Sequence, residues 1–168
     1  MPSPTYNALG VFGRLDPVQE AGLVALQKKY HELPKESEAY GVFPHLTLSV
    51  SYKVPVDNLT TYTELLKQLR LLLPLVIKVS GVRVVNGGDI ALAFDITQTK
   101  RVREMTSSLL PKSVIKTDYF TVVREMPRRH HDDVVQALAD TKTLVFTNFN
   151  LCANLVNDAH IIHSSVEL

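Results

Sequence analysis

Phe43-Pro44-His45-Leu46-Thr47-Leu48-Ser49-Val50-Ser51 alternates imidazole or hydroxyl with aliphatic side chains from His45 onward. In an extended chain successive side chains point to opposite faces, so His45, Thr47, Ser49 and Ser51 share one face and Leu46, Leu48 and Val50 the other. The stretch reads as a strand with a core side and a chemical side. An imidazole two residues from a hydroxyl on rigid backbone suits work on a phosphate, because the ring moves protons near neutral pH and the hydroxyl donates a hydrogen bond to a phosphoryl oxygen. For an arbitrary His-x-Thr, an outer face that simply meets water is the better reading; the remainder of this chain counts against it.

Upstream, 6–12 is a short apolar run ending at Gly13-Arg14-Leu15-Asp16-Pro17, a strand feeding a helix with Asp16 at the N-cap and Pro17 at its first position. Leu23, Leu26 and Tyr30 recur at helical spacing and carry this helix to about Leu33, where Pro34 stops it. Downstream, Val56-Asp57 opens a second helix through Leu73, with Leu65, Leu66, Leu69 and Leu72 inward and Pro74 at its end. Asn58-Leu59-Thr60, formally a glycosylation acceptor, is the turn opening that helix. Strands over 75–85 and 89–96 meet at Asn86-Gly87-Gly88, whose glycines supply the positive φ of a hairpin turn. No helix N-terminus follows, so this is not a phosphate cradle.

The second half repeats the first. A helix over 97–110 turns Val102, Met105 and Leu109 inward and ends at Pro111; a strand spans 119–125; a helix over 127–140 turns Val134, Val135 and Leu138 inward; paired strands span 144–155 and 160–168. Strand, helix, strand, helix, strand thus occurs twice, with the strand at 90–96 shared. The pattern predicts a single α+β domain over 1–168, with two pseudo-symmetric lobes (about 1–96 and 90–168). Each would be antiparallel strands with helices on the outer face, around a central cleft.

A hydrophobic fraction of 45% over 168 residues is enough to bury a core, and the chain should fold alone. With 18 Lys and Arg against 17 Asp and Glu, nothing global attracts long duplex nucleic acid or an anionic membrane, so any nucleotide recognition must be local. Cys152 is the sole cysteine, which excludes an internal disulfide and a Cys-rich zinc site and suits a reducing compartment. The longest apolar stretch, 71–77, cannot span a bilayer, and the first residues show no basic region followed by an apolar run; a cytosolic protein is expected. In Arg128-Arg129-His130-His131-Asp132-Asp133, neighbouring side chains on a helix point about 100° apart. The two histidines therefore do not suit one metal, and the run reads as a solvated helix start with acids in its first turn. No metal and no cofactor are expected, and the oligomeric state is open.

Superposing the halves puts Tyr119-Phe120-Thr121-Val122 on His45-Leu46-Thr47-Leu48, an offset of 74 residues. With this pair the chain resembles the 2H phosphoesterases, the superfamily of cyclic phosphodiesterases and the so-called 2′-5′ RNA ligases. Its members carry two His-x-Thr/Ser tetrapeptides, one per lobe, facing each other across a cleft. The resemblance implies that His45 and Thr47 are site residues of lobe one and that Thr121 is the hydroxyl of lobe two. Tyr119 stands where the family has histidine. It further implies metal-free catalysis with one histidine as general base, the other as general acid toward the leaving alkoxide, and the two hydroxyls on the phosphate. A free phenol, with a pKa of about 10 against about 6.5 for imidazole, can donate a proton but makes a poor base. That assigns His45 as base and Tyr119 as acid or phosphate clamp.

His163-Ser164-Ser165 also has the His-x-Ser form, and parity puts His163 and Ser165 on one face. By the internal repeat, however, it matches 90–96 rather than the tetrapeptide strand, so Tyr119 is preferred. Arg124 shares parity with Phe120 and Val122, which favours a salt bridge or a snorkelling edge residue over a phosphate contact. Three functions compete. The first is a phosphodiesterase acting on a 2′,3′-cyclic phosphate or a small cyclic or 2′-5′-linked nucleotide. The second is an impaired module that binds nucleotide or RNA ends without turnover. The third is an interaction scaffold.

Overall fold

A computed structural model describes residues 5–30, 43–157 and 160–165, with side chains as far as Cys152 except that of Asn7. Among them are β1 Thr5–Leu15, α1 Pro17–Lys29, β2 Leu46–Pro55, α2 Leu59–Arg70, β3 Leu75–Val85, β4 Asp89–Phe94, α3 Lys100–Leu109, β5 Tyr119–Val123, α4 His131–Leu138, β6 Thr143–Asn157 and β7 His160–Ser165. The fold is α+β, and every ladder is antiparallel. Strand order is β2-β1-β6-β3-β4-β5, with β7 on the distal half of β6. β3, from the first half of the chain, lies beside β4, and β6, from the second half, lies beside β1; the two sequence repeats exchange their third strands.

This path reads the same from either end. The ladder of β1 with β2 jumps from Val11↔Ser49 to Phe12↔Thr47, which makes Leu48 the extra residue of a bulge. The ladder of β4 with β5 jumps from Ile90↔Val123 to Ala91↔Thr121, which makes Val122 the extra residue. Leu48 and Val122 are each the residue after the tetrapeptide hydroxyl. The inner ladders repeat as well, with bulges at Thr147 between β6 and β1 and at Ser80 between β3 and β4. The internal repeat read from element order is therefore written into the hydrogen-bond register.

Several local expectations are corrected by the backbone. α1 starts as read: Asp16 Oδ2 accepts from the amides of Val18 (3.1 Å) and Gln19 (3.2 Å), and Pro17 takes the first position. It ends at Lys29 rather than about Leu33; Leu33 and Pro34 lie outside the described residues. α2 starts at Leu59, after a 3-10 turn over Val56–Asn58, and stops at Arg70 rather than Leu73. Past that point the amides of Leu71 and Leu72 bond three residues back, to Gln68 (3.2 Å) and Leu69 (2.9 Å), which tightens the last turn and leaves Leu72 only partly buried. α3 and α4 likewise begin after 3-10 turns, over Ile96–Thr99 and Arg128–His130, and α4 ends at Leu138 rather than 140. β5 stops at Val123, two residues short of expectation, where Glu125 takes a positive φ of 51°. In the hairpin turn the positive φ values belong to Asn86 (50°) and Gly87 (77°) and not to Gly88, because asparagine tolerates the left-handed region almost as glycine does.

The core lies between sheet and helices. α2 supplies Tyr62, Leu65, Leu66 and Leu69, and α4 supplies Val134 and Leu138. Phe120, Phe146 and Phe149 are the largest fully buried rings, with Phe120 and Phe146 edge to face at 5.8 Å. No helix among the described residues is long and apolar enough to cross a membrane. Asp16→Ala should cost about 1 kcal/mol, since two amides of the first turn lose their acceptor. Denaturant unfolding would show it as a lower midpoint with an unchanged slope.

Candidate functional site

His45 sits one residue before β2, and its ring is held by a backbone carbonyl and by neighbouring aromatic rings. Nδ1 lies 2.8 Å from the carbonyl oxygen of Phe43. A carbonyl only accepts, so Nδ1 carries the proton and Nε2 is the basic nitrogen of the neutral ring. Phe12 of β1 stacks on the imidazole with ring centres 4.0 Å apart and planes 28° from parallel, and Phe43 meets it edge-on at 5.1 Å. Arg14 covers Phe43, its guanidinium 3.9 Å from the ring centre, and is itself held by two hydrogen bonds to Glu20 (2.9 and 3.0 Å). A chain of contacts thus runs from Glu20 on α1 through Arg14 and Phe43 to His45.

Phe12 can lie over His45 because Gly10, two residues earlier on the same face, has no side chain. A Cβ built there would meet the Phe12 ring at 2.6 Å. Gly10→Ala should push that ring off the imidazole and destabilise the fold by about 1–3 kcal/mol, the usual cost of overpacking. The backbone of Gly10 needs no positive φ, so the effect is steric, and Phe12→Leu in the same chain should restore much of the lost melting temperature. A Gly10→Ala chain as stable as wild type would mean that the ring has another place to go.

Thr47 stands opposite Phe12 and is half-buried. Across β1 the same face continues into β6, where Arg14, Phe12 and Gly10 stand opposite Asn148, Asn150 and Cys152. Asn148 turns its Oδ1 to the amide of Phe149 (2.9 Å), and Asn150 is half-buried beside Phe12. Cys152 is 1% exposed; burial pushes its thiol up, against a smaller opposing effect of the Arg14 charge, so it is no thiolate nucleophile.

Ser49 departs from expectation. Strict alternation puts it with His45 and Thr47 on the open face, yet it is fully buried, because the segment after α3 closes over the edge of β2. Val114 bridges to Ser49, the amide of Val50 bonds Ser113 O (3.1 Å), the amide of Ile115 bonds Leu48 O (2.9 Å), and the Ser49 and Ser113 hydroxyls pair at 3.0 Å. Val50, placed with the core, is only partly buried, since the bulge at Leu48 breaks strict alternation.

In lobe two, Tyr119 and Thr121 stand opposite Ala93 and Ala91 of β4, and both are half-buried. Where lobe one surrounds its tetrapeptide with Phe12, Phe43 and Arg14, lobe two offers alanines. The bulged carbonyl of Val122 accepts from Gln27 Nε2 of α1 at 2.6 Å, as that of Leu48 accepts from Ile115. From its bridge with Ser49 the chain at Val114 runs antiparallel to β2, back toward the His45 end, and opens β5 five residues later. At about 3.6 Å per extended residue, the Cα of Tyr119 lies within about 18 Å of that of Val114. The amide of Phe94 holds Asp118 O at 2.9 Å, and the Asp118 carboxylate takes Arg83 at 2.9 and 3.4 Å, a hydrogen bond that keeps it below the usual carboxylate range.

The other sequence candidates stand apart. His130 packs against Tyr30 with ring centres 5.4 Å apart, and His131 Nε2 donates to Met126 O at 2.8 Å. Among the described residues no group of three His, Cys, Asp or Glu is arranged to hold a metal ion. Arg124 is exposed beyond the end of β5. His163 lies opposite Asn154 on β7, and Ser165 opposite Cys152; the side chains of both lie outside the described ones. A cleft of about 440 Å³ between the end of α2 and the start of α3, with Leu71, Leu73 and Arg101 on its walls, shares no residue with either tetrapeptide. Residues not anticipated from sequence are Phe12, Arg14, Phe43 and Asn150. The alternation Asn148-Phe149-Asn150-Leu151-Cys152 carried a signal for the last of these.

No protein-family model matches this chain, and no curated protein does. Among solved structures, that of Escherichia coli LigT complexed with 3′-AMP is 13% identical, with a TM-score of 0.60 over 98% of this chain and 96% of that one. LigT in apo form and complexed with NADP+ match over the same shares, at TM-scores of 0.57 and 0.55 and the same 13% identity. The chain has the fold of LigT.

Proposed function

We propose that this chain is a 2H-type phosphoesterase that opens a 2′,3′-cyclic phosphate, or cleaves a small cyclic or 2′-5′-linked nucleotide, without a metal. The observation that carries the reading is the repeated bulge. Phe120-Thr121 occupies in the ladder of β4 with β5 the place that Leu46-Thr47 occupies in that of β1 with β2, each directly before the bulge, and Tyr119 and His45 are the residues that precede these pairs. The LigT crystals hold 3′-AMP and NADP+, and the shared fold makes a nucleotide phosphate the expected ligand class here.

In this mechanism Nε2 of His45 takes the proton of a water as its oxygen attacks phosphorus, and the hydrogen bond from Nδ1–H to Phe43 O stabilises the imidazolium that forms. The Thr47 and Thr121 hydroxyls donate to the non-bridging oxygens. The bond from phosphorus to the leaving ribose oxygen breaks, and the Tyr119 phenol protonates that oxygen. His45 and Tyr119 then exchange the excess proton through solvent. Base and acid on opposite sides of phosphorus are what an in-line displacement requires.

The phenol at 119 supports a second reading, in which the site binds a nucleotide or RNA end and does not turn it over. Incubation with a 2′,3′-cyclic nucleotide in EDTA, followed by ³¹P spectroscopy, beside a thermal-shift titration with the same compound, separates the two. Ring opening in EDTA is expected. A thermal shift without ring opening would sink the enzyme and leave the binder, and neither signal would leave only a scaffold.

A further inference from the structure

The structure assigns to Arg103 a positioning role: it fixes the second tetrapeptide relative to the first by holding the backbone at Thr117. The activity arm of this proposal rests on the phosphoesterase reading; its structural arm does not. Arg103 lies on α3 between Val102 and Thr106 and is 5% exposed. A side chain of this length ordinarily carries its charge out to water, and this one does not. Nη2 donates to Thr117 O at 2.5 Å, whereas Nε and Nη1 are buried with no hydrogen-bond partner among the described residues. Asp118, next to that carbonyl, is hydrogen-bonded by Arg83, and its charge partly offsets the cost of burying the Arg103 guanidinium without reaching it as a hydrogen-bond partner.

A buried guanidinium with two unpaired donors is a costly way to fill a core position, and an apolar side chain of similar length would fill it without that cost. What the guanidinium provides that an apolar chain would not is a fixed carbonyl at Thr117. That carbonyl is the last link of a strut whose other end is bonded to Leu48, Ser49 and Val50 beside the first tetrapeptide. With Arg103 at Thr117 and Phe94 at Asp118, the strut is pinned directly before Tyr119. The separation of two groups acting on one phosphorus tolerates little error, and a displacement of about 1 Å costs about 10²-fold in rate. Arg103 touches no ligand in this account.

The test uses the full chain with Arg103→Met and Arg103→Lys. In Arg103→Met the thermal midpoint should stay at or above that of the wild type, because two unpaired donors are removed. Amide exchange at Ile115 and Phe94 should quicken about tenfold or more while the α2 amides are unchanged. Turnover should fall about 10- to 100-fold in kcat with KM nearly constant. Arg103→Lys, which keeps one donor for Thr117 O, should recover most of both. A midpoint that falls together with faster exchange throughout the molecule would make Arg103 an ordinary packing residue and overturn the proposal, as would unchanged exchange at Ile115 and Phe94, or faster exchange there with kcat unaltered. Should the wild type show no turnover, the phosphoesterase reading fails by itself. The exchange comparison then decides on the strut alone, and unchanged rates there would refute it.

Discussion

Replacing His45 by alanine should lower ring opening of a 2′,3′-cyclic nucleotide by about 10²- to 10⁴-fold, the range spanned by positioned general bases. The loss should fall on kcat if, as proposed, Thr47 and Thr121 hold the phosphate. His45→Gln makes the sharper comparison. It keeps a hydrogen-bonding group of similar reach while removing the basic nitrogen, so a rate as low as that of His45→Ala assigns the effect to proton transfer rather than packing. Packing cannot be ignored, since the imidazole is one face of the Phe12 stack and its loss should lower the melting temperature slightly. Activity surviving both substitutions would move the chemistry away from β2, with His163 on β7 the next position to substitute.

Much of this was legible in the sequence, and the part that was not has definable causes. Asp16-Pro17 marked the start of α1 because cap chemistry is local and needs only neighbours in the chain. The His45 strand and its repeat at Tyr119 were legible because alternation and helical spacing survive in a single sequence. The burial of Ser49 was not, since it depends on Ser113 and Val114, more than sixty residues away, closing the edge of β2. Nor was the exchange of β3 and β6 between the repeats: sequence order places strands along the chain, whereas pairing is decided by which faces can be buried together. Phe12, Phe43 and Arg14 carry no such signal, because a phenylalanine in or beside a strand reads as core and an arginine at a strand end as solvated. Only the register of β1 against β2, with Gly10 leaving room, turns them into a clamp on the imidazole. The two bulges lie between these cases. No residue type announces them, yet each follows the hydroxyl of its tetrapeptide, so the offset of 74 residues that aligned the motifs also aligns the backbone irregularities.

Tyr119→Phe should lower kcat by about 10²- to 10⁴-fold if the phenol supplies the proton to the leaving oxygen. Nucleotide should still raise the melting temperature, because Thr121 and the alanine floor of β4 are untouched. The pH profile carries the finer discrimination. With one imidazole as base and one phenol as acid, the rate should climb as the imidazole loses its proton. It should then stay level until the proton donor itself ionises, with no second imidazole limb. Tyr119→His replaces that plateau by a bell, because two imidazoles must then differ in protonation at the same pH, and each titrates near about 6.5 when unperturbed. The substitution also tests the geometry directly: a rate raised above wild type near the top of the bell requires that position 119 can reach the leaving oxygen. A Tyr119→His chain that binds nucleotide but turns nothing over, beside a wild type that is equally silent, would mean that the separation of β2 and β5 suits holding a phosphate and not cleaving it. Reading that result together with the Arg103→Met exchange data would show whether the strut or the side chain sets the limit.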